Sequence, residues 1–307
     1  MKKKAKFLSV LTVVMSISLP SFAFANETAA TVSEQQQKIN AAVEVVVNQD
    51  NEPNKEKYSL GIDPIQIDAQ LFYDSVAGKA FEELTEDELT KMREINSGIR
   101  SYVESLEGNS GVISPLQYQE SDLSKGIEGV MNSTSGQLTY GDIAVAFDNA
   151  NEARDIGTEY ARLMGYSVTW DNPADAYRHF AWNYFNTKDM NANKARLIGD
   201  NHELALIGAK KAVNYPGSLD DKIGYGLLQA YDVRDKARAS SSVFNSNFDN
   251  SSVMDLINNS KGRQYALSNY NHVSDAFIAA HLTHKVLIGY PSNVTSSIRT
   301  TAWNAFK

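Results

Sequence analysis

Apolar residues recur at steps of three and four positions along most of the chain beyond residue 85, and this spacing predicts amphipathic helices. The clearest run follows Thr85, which together with Glu88 has the form of a helix-capping box. Its apolar positions are Leu89, Met92, Ile95, Ile99, Val103 and Leu106. They predict one helix of about six turns.

Similar runs predict six more helices in the second half of the chain. Residues typical of helix ends bound some of them, such as Gly165 after one helix and Asn172 with Pro173 before the next. The predicted helices extend over about 143–164, 173–187, 194–213, 220–239, 252–259 and 273–288, with a polar loop at 240–250.

Strand-type alternation never extends beyond a few residues, and no internal repeat is present. The sequence therefore predicts an all-α fold, an irregular multi-helix bundle with a smaller N-terminal helical subdomain. We expect a signal peptide at 1–25, a polar linker at 26–65, the helical subdomain at 66–135, a helical site domain at 140–290 and a C-terminal tail at 291–307.

The first residues have the pattern of a cleavable secretory signal. Four lysines precede an apolar run at 7–19, and an Ala-Phe-Ala site ends at Ala25. We therefore expect a secreted, extracellular protein whose mature chain begins near Asn26. The apolar run is shorter than the roughly 20 residues that span a bilayer, and no later segment is apolar enough, so no membrane span is predicted.

Charge and cysteine content narrow the function classes. The leader carries four lysines and no acid, so its removal takes the net charge from −8 to −12. Such an acidic protein has no long-range attraction for nucleic acid, whereas a cell-envelope or protein partner stays possible. The absence of cysteine excludes disulfides and thiol chemistry. Oligomeric state has no sequence signal here.

The segment 175–183, DAYRHFAWN, holds the most informative polar pattern. Asp175, His179 and Asn183 are spaced by four residues, which places them on one stripe of the predicted helix. A carboxylate at this distance can orient an imidazole for metal binding. Alternatively, Asp175 only complements the helix dipole as a first-turn acid.

A second histidine, His202, follows His179 by 23 residues, with the predicted turn halfway between them. If the two helices form an antiparallel hairpin, both imidazoles lie at the same level and can share a site. The alternative is that either one is a hydrogen-bonded core histidine. Glu203 points about 100° away from His202 around the helix, and Leu206 stands where a zincin motif needs histidine.

A third segment, 255–263, places Asp255, Asn258 and Asn259 on one face of a short helix that Gly262 is expected to end. Carboxylate and amide oxygens suit a hard cation or a substrate hydroxyl. Arg263, just past the expected end, could meet a phosphate or carboxylate. Ordinary helix-stop chemistry is the competing interpretation.

In this order and spacing, the three segments resemble a family of uncharacterised bacterial domains with D-A-x-R-H-x-x-W-N, H-E and D-L-x-N-N-x-x-G-R motifs. The resemblance covers about residues 140–265 and implies functional positions without a reaction. Those positions are Asp175, Arg178, His179, Trp182, Asn183, His202, Glu203, Asp255, Asn258, Asn259, Gly262 and Arg263.

Our leading hypothesis is a secreted, metal-assisted hydrolase that acts on a phosphodiester or a lipid phosphate. Asp175, His179 and His202 would bind a divalent metal ion. The catalytic residues would be His179, His202, Glu203 and Asp255, with Glu203 or Asp255 activating water. Substrate would be held by Arg178, Trp182, Asn183, Asn258, Asn259 and Arg263. The alternatives are a non-catalytic exported binding or structural module and a secreted antibacterial toxin domain.

Overall fold

A computed structural model describes residues 29–47, 63–106 and 121–307. Within these ranges the chain forms twelve α-helices and no strand, which confirms the predicted all-α, multi-helix fold. The helices are α1 (Ala29–Val47), α2 (Pro64–Ser75), α3 (Glu86–Leu106), α4 (Asp122–Ser133), α5 (Tyr140–Met164), α6 (Pro173–Asp189), α7 (Ala192–Ala212), α8 (Leu219–Ala239), α9 (Ser241–Asn247), α10 (Asn250–Ala266), α11 (Val273–Ile278) and α12 (Ser296–Phe306).

The capping chemistry predicted from sequence is present at three helix ends. The Thr85 hydroxyl accepts a hydrogen bond from the backbone N–H of Glu88, whose carboxylate accepts one from the Thr85 N–H. Gly165 ends α5 in the left-handed conformation, with φ 76°. The Asn172 side chain caps α6 by accepting from the N–H groups of Ala174 and Asp175.

Among the described residues, α2, α3 and α4 form no hydrophobic cluster separate from the later helices. Buried side chains of α2, α3 and α4, including Met92 and Ile127, belong to the same cluster as those of α7, α8 and α10, including Leu204 and Ile223. A second cluster joins α1, α5, α6 and α11. The boundary expected near 135–140 therefore does not separate two cores.

Several predicted segments differ in the structure. The expected loop at 240–250 contains α9, and the helix expected over 273–288 ends at Ile278 and continues as a π-helical turn, Ala279–Thr283. The expected tail at 291–307 contains α12, whose Phe306 is buried against Phe244 and Phe248. Apolar burial holds this last helix on the body of the protein.

The N-terminal predictions fall largely beyond the described ranges. The signal peptide at 1–25 lies outside them, and of the linker expected at 26–65 the described parts are 29–47, which forms α1, and 63–65 at the start of α2. Helix α1 packs on α5, with Ile39 and Ala42 fully buried. Among the described helices, none is long and apolar enough to cross a bilayer.

Gly262 does not end a helix as we expected, because α10 runs on to Ala266. A Cβ atom at this position would lie 2.2 Å from the carbonyl oxygen of Phe180 on α6. The glycine therefore allows the backbones of α6 and α10 to approach closely. This close contact aligns the polar stripes of the two helices.

Candidate functional site

A solvent-reachable pocket of about 530 Å³ opens between α4, α6, α7 and the start of α10. Its wall combines acidic, basic and apolar side chains. It is lined by Ser121, Leu123, Ser124, Trp170, Asp171, Asp175, Arg178, His179, His202, Glu203, Leu206, Ala209, Lys210, Val213, Asp249, Ser251, Ser252 and Asp255.

The pocket brings together six of the residues that the sequence pointed to: Asp175, Arg178, His179, His202, Glu203 and Asp255. The other six do not line it: Trp182, Asn183, Asn258, Asn259, Gly262 and Arg263. Four of the wall residues are named here the pocket group: Asp175, His179, Glu203 and Asp255. All four are buried, with at most 7% of their surface exposed.

The first turn of α6 fixes Asp175. Asp171, in the left-handed region with φ 57°, donates its backbone N–H to Asp175 Oδ2 at 2.8 Å. Arg178, one turn later, donates from Nη2 to Asp175 Oδ1 at 2.6 Å. Short polar side chains such as aspartate tolerate the left-handed conformation. The carboxylate is therefore held from both sides, with Oδ1 towards His179.

His179 lies at the centre of the pocket group. Its Nε2 atom is 3.4 Å from Asp255 Oδ1 and 3.7 Å from Asp175 Oδ1. One ligand atom from each of these three residues lies within 4.8 Å of the other two, a spacing that suits a single metal ion. Arg178 Nη2 also lies 2.8 Å from His179 Nε2, so a guanidinium group occupies part of this space.

The hairpin of α6 and α7 places the two predicted histidines face to face. The rings of His179 and His202 have centroids 5.9 Å apart, which confirms the expected shared level. His202 Nδ1, however, lies 2.9 Å from Glu128 Oε2 on α4. The three-residue group contains Asp255 where we had expected His202.

Trp182 supports the histidines from behind the pocket wall. Its indole N–H donates to the Ala146 carbonyl of α5 at 3.0 Å, and its ring meets the His202 ring edge-on at a centroid distance of 5.3 Å. The side chain is 5% exposed. We expected Trp182 to bind substrate. Its side chain instead packs between α5, α6 and α7.

Burial changes the protonation of Glu203 and Asp255. It raises the pKa of Glu203 to about 7, against the opposite effects of the His202 charge, the nearby Ser252 hydroxyl and the Arg178 charge. It also raises the pKa of Asp255 well above its usual value, and the nearby Asp175 and Glu203 carboxylates add to this shift. Among the described residues, no hydrogen-bond partner meets either Glu203 oxygen or Asp255 Oδ1.

The imidazole of His179 is held neutral. Burial lowers its pKa well below the usual value, and the positive charges of Arg178 and His202 act in the same direction. A neutral imidazole is the form that binds a metal ion. The pocket group thus offers a neutral nitrogen beside Asp255 Oδ1, which has no hydrogen-bond partner among the described residues, and beside Asp175, whose carboxylate is hydrogen-bonded.

A second polar cluster lies one turn further along α6 and α10. Arg263 Nη1 donates to Asn183 Oδ1 at 2.7 Å, and Asn183 Nδ2 lies 2.7 Å from Asn259 Oδ1. We call Asn183, Asn259 and Arg263 the amide layer. Asn259 Oδ1 is also 3.2 Å from His179 Nδ1, which connects the amide layer to the pocket group.

An acid on α7 balances the charge of the amide layer. Burial lowers the pKa of Arg263 to about 10, and the negative charge of Asp200 counteracts that shift. Burial raises the pKa of Asp200 to about 6, against the positive charges of Arg263 and Arg196. None of these side chains lines the pocket, so the substrate-binding role expected for Arg263 stays a prediction.

Asn258 has a separate, structural contact. Its Nδ2 donates to the Ile288 carbonyl at 2.9 Å and its Oδ1 accepts from the Ile288 N–H at 3.0 Å. Both amide atoms are used in holding the segment after the π-helical turn. This occupancy, and its place outside the pocket, correct our expectation that Asn258 binds substrate.

Sequence patterns did not reveal every residue around the site. Glu128, the partner of His202, is 74 positions away along the chain and belongs to the region we had assigned to another subdomain. Asp171 accepts a hydrogen bond from the Ser251 hydroxyl and so connects the start of α6 to α10. Such long-range pairs have no local signal, although an aspartate just before a capping asparagine is typical of a tight turn.

The remaining histidines lie elsewhere. His281 stacks on Phe277 with a centroid distance of 5.2 Å, and His284 contacts the Tyr265 hydroxyl. His272 precedes α11 at its N-cap position. The only metal-compatible group found among the described residues is therefore Asp175, His179 and Asp255.

A family model described as "Domain of unknown function (DUF6973)" matches residues 141–289. The match spans α5 to the segment after the π-helical turn and includes all four residues of the pocket group. No curated protein and no solved structure gives a significant match.

Proposed function

We propose from the geometry that this protein is an exported, metal-assisted hydrolase, since the family model that matches residues 141–289 describes a domain of unknown function. In this proposal Asp175, His179 and Asp255 bind one divalent cation at the pocket wall. Glu203 then acts as the general base that activates water. The observation that carries the proposal is the set of three ligand atoms within 4.8 Å of one another in a solvent-reachable pocket.

The raised pKa values of Glu203 and Asp255 support the binding of a cation. Buried carboxylates with raised pKa values are unfavourable when ionised and become favourable beside a cation. Asp255 Oδ1 has no hydrogen-bond partner among the described residues, and it lies 3.4 Å from the neutral His179 Nε2. One nitrogen and two carboxylate oxygens form a mixed ligand set that suits Zn²⁺ or Mn²⁺.

Glu203 is the best candidate for the base. It lines the same pocket as the ligand group, and its pKa of about 7 is close to the value at which a general base works best near neutral pH. A water molecule bound to a metal ion loses its proton far more readily than bulk water. The carboxylate of Glu203 would accept that proton, while His202 would stabilise the charge that develops on the substrate.

A phosphodiester or lipid phosphate is the substrate class that we favour. Arg178 and Lys210 line the pocket and can pair with phosphate oxygens. Trp170 and Val213, which are 41% and 54% exposed, lie among the lining residues and add apolar surface for the rest of such a molecule. Export belongs to the proposal as well, and it rests on the leader pattern of residues 1–25.

Metal binding and hydrolysis test the proposal together. We expect the purified protein to bind Zn²⁺ or Mn²⁺ with one-to-one stoichiometry in calorimetry and to hydrolyse a chromogenic phosphodiester in its presence. His179→Ala and Asp255→Asn should each abolish both. His272→Ala removes a histidine that lies outside the pocket and should leave both unchanged. Absence of metal binding in the wild-type protein would overturn the metal assignment.

A non-catalytic binding module is the second candidate, and Arg178 favours it. Its Nη2 atom lies 2.6 Å from Asp175 Oδ1 and 2.8 Å from His179 Nε2, so the cluster already holds a cation of its own. A satisfied buried network can fix helix packing without chemistry. Under this hypothesis, His179→Ala would lower the melting temperature, and no substrate of a hydrolase panel would be turned over by the wild-type protein.

A further inference from the structure

We infer that the amide layer is a positioning chain: Arg263, acting through Asn183 and Asn259, fixes His179 as the tautomer that carries its proton on Nδ1. The lone pair of Nε2 then points to Asp175 and Asp255 in the pocket wall. This inference deepens the proposed function and rests on it for its metal-binding consequence. The tautomer itself does not depend on a bound metal ion.

The direction of each hydrogen bond follows from donor chemistry. Arginine has only donors, so the atom of Asn183 that Arg263 meets at 2.7 Å must be the amide oxygen. The other amide atom of Asn183 is then the NH₂ group, a donor, and it meets Asn259 at 2.7 Å. The Asn259 atom at that contact must therefore be its oxygen.

The same oxygen determines the tautomer of His179. It lies 3.2 Å from His179 Nδ1, and an oxygen acceptor requires a proton on that nitrogen. In a neutral imidazole with its proton on Nδ1, Nε2 carries the lone pair. Arg178 agrees from the opposite side, because its Nη2 can only donate to His179 Nε2, at 2.8 Å. Two arginines, at opposite ends of the chain of contacts, thus favour the same tautomer.

The unpaired Nδ2 of Asn259 indicates that the hydrogen bonds of the positioning chain run in one direction only. Asn259 Nδ2 is buried and has no hydrogen-bond partner among the described residues. Rotating this amide by 180° would exchange its oxygen and nitrogen, but it would then place two NH₂ groups 2.7 Å apart at the Asn183 contact. The arginine at the start of the chain therefore outweighs the cost of one unmade hydrogen bond.

Two residues of α7, Gly199 and Asp200, hold the positioning chain in place. A Cβ atom on Gly199 of α7 would lie 3.2 Å from Asn183 Oδ1 and 3.3 Å from Asn259 Nδ2, so the glycine backbone packs directly on both amides. Asp200, the next residue, supplies the negative charge that balances Arg263. Partners behind a metal-binding histidine generally set its tautomer and ring orientation, and their loss weakens metal binding by about 10- to 100-fold.

Nuclear magnetic resonance of ¹⁵N-histidine in the full, metal-free chain at pH 8 tests this inference. The wild-type protein should show a His179 ring whose Nδ1 has the shift of a protonated nitrogen and whose Nε2 has that of an unprotonated one. The His179→Gln variant assigns these signals among the five histidines. A wild-type His179 protonated on Nε2 would overturn the inference without any variant.

The Asn183→Asp substitution should reverse the tautomer. Aspartate has no NH₂ group, so it would accept from Arg263 and also from Asn259, whose amide must then turn its Nδ2 towards His179 Nδ1. The proton of His179 should move to Nε2, which breaks the contact of Arg178 Nη2 with that nitrogen, and Zn²⁺ affinity should fall at least about tenfold. Asn259→Asp keeps an oxygen beside His179 Nδ1 and should retain both the tautomer and metal binding.

Asn258→Asp is the matched control, because it places the same change in a neighbouring buried asparagine that contacts Ile288 instead of His179. It should lower stability without changing the tautomer. If Asn183→Asp keeps the wild-type tautomer, the chain does not position His179. If the tautomers behave as expected but wild-type protein binds no metal, the positioning chain stands and the proposed function fails.

Discussion

Three of the four pocket-group residues and the whole amide layer lie on α6 and α10, one turn apart, while Glu203 comes from α7, and the polar atoms of the two clusters differ in how many hydrogen bonds they make. On α6 the sequence step of four residues leads from Asp175 and His179 to Asn183, and on α10 it leads from Asp255 to Asn259 and Arg263. The amide layer makes hydrogen bonds at 2.7 Å along its length, whereas Asp255 Oδ1 and both Glu203 oxygens have none among the described residues.

This difference separates a structural part from a functional part of one polar stripe. A buried amide network that is nearly satisfied stabilises the fold and specifies one packing of the helices. Buried carboxylates without donors do the reverse, because they cost free energy in the absence of a ligand. Substitutions in the amide layer and at Glu203 should therefore change stability with opposite signs.

The largest effect is expected from breaking the amide layer. Asn183→Leu removes the acceptor of Arg263 and the donor of Asn259 and leaves both groups unpaired in a buried place. We expect the free energy of unfolding to fall by about 3 kcal/mol, measured by urea denaturation. Asn193→Leu, at an exposed position of α7, is the control and should change it by less than about 0.5 kcal/mol. A near-neutral Asn183→Leu would contradict the structural role of this layer.

In the pocket group, we expect a substitution at Glu203 to raise the free energy of unfolding. Glu203 has a folded-state pKa of about 7, above its usual value of 4.5, so the folded protein binds more protons than the unfolded chain between these values. Stability is therefore lost as the pH rises through this window, and Gln, which does not titrate, avoids the loss. Glu203→Gln should stabilise the metal-free protein by about 2 kcal/mol at pH 8 and have little effect at pH 4.5.

Thermal denaturation over this pH range measures the effect of Glu203→Gln. The same substitution should abolish hydrolysis if Glu203 is the general base. Glu88→Gln is a useful comparison, because hydrogen bonding to Lys79 and Thr85 lowers the pKa of that partly exposed carboxylate instead of raising it. A Glu203→Gln variant that is less stable than wild type at pH 8 would mean that the carboxylate has a favourable partner in solution.

The α6 stripe could be predicted from the sequence, since a capping Asn172, a first-turn Pro173 and the four-residue spacing all act within one helix. The α10 stripe was only half recognised. Glycine commonly ends helices, so the sequence predicts that α10 stops at Gly262 and that Arg263 lies beyond it. In the structure the glycine instead leaves room for the Phe180 carbonyl of α6. That reason lies in another helix and leaves no local pattern.

Position on a helix face was also insufficient to assign partners. Asn258 shares a face with Asp255 by spacing, although its side chain reaches the Ile288 backbone instead of the pocket. Likewise, the Glu128 contact to His202 depends on how α4 packs on α7, which no motif encodes. The sequence could indicate which residues are polar and helical, while tertiary packing decides which of them face the pocket.

The smallest change in stability should come from Arg178→Lys, which tests how firmly the guanidinium belongs to the pocket group. Arg178 donates to Asp175 Oδ1 from both Nε and Nη2, at 3.2 and 2.6 Å, and reaches His179 Nε2 at the same time. A lysine keeps the charge but cannot reproduce this planar fork. We expect a loss of about 1 kcal/mol in the metal-free protein, because the pair is largely but not fully enclosed.

Zn²⁺ binding by the Arg178→Lys variant shows whether a metal ion can replace the Arg178 guanidinium or whether the guanidinium is a structural part of the site. If Arg178 occupies ligand atoms that a metal ion needs, the lysine variant should bind Zn²⁺ more tightly than wild type, and bound Zn²⁺ should restore its melting temperature. Arg162→Lys changes an exposed arginine that pairs with Glu159 and should alter neither property. Weaker Zn²⁺ binding by the Arg178 variant would instead make the guanidinium a fixed part of the pocket group, as firmly built in as Arg263 is in the amide layer.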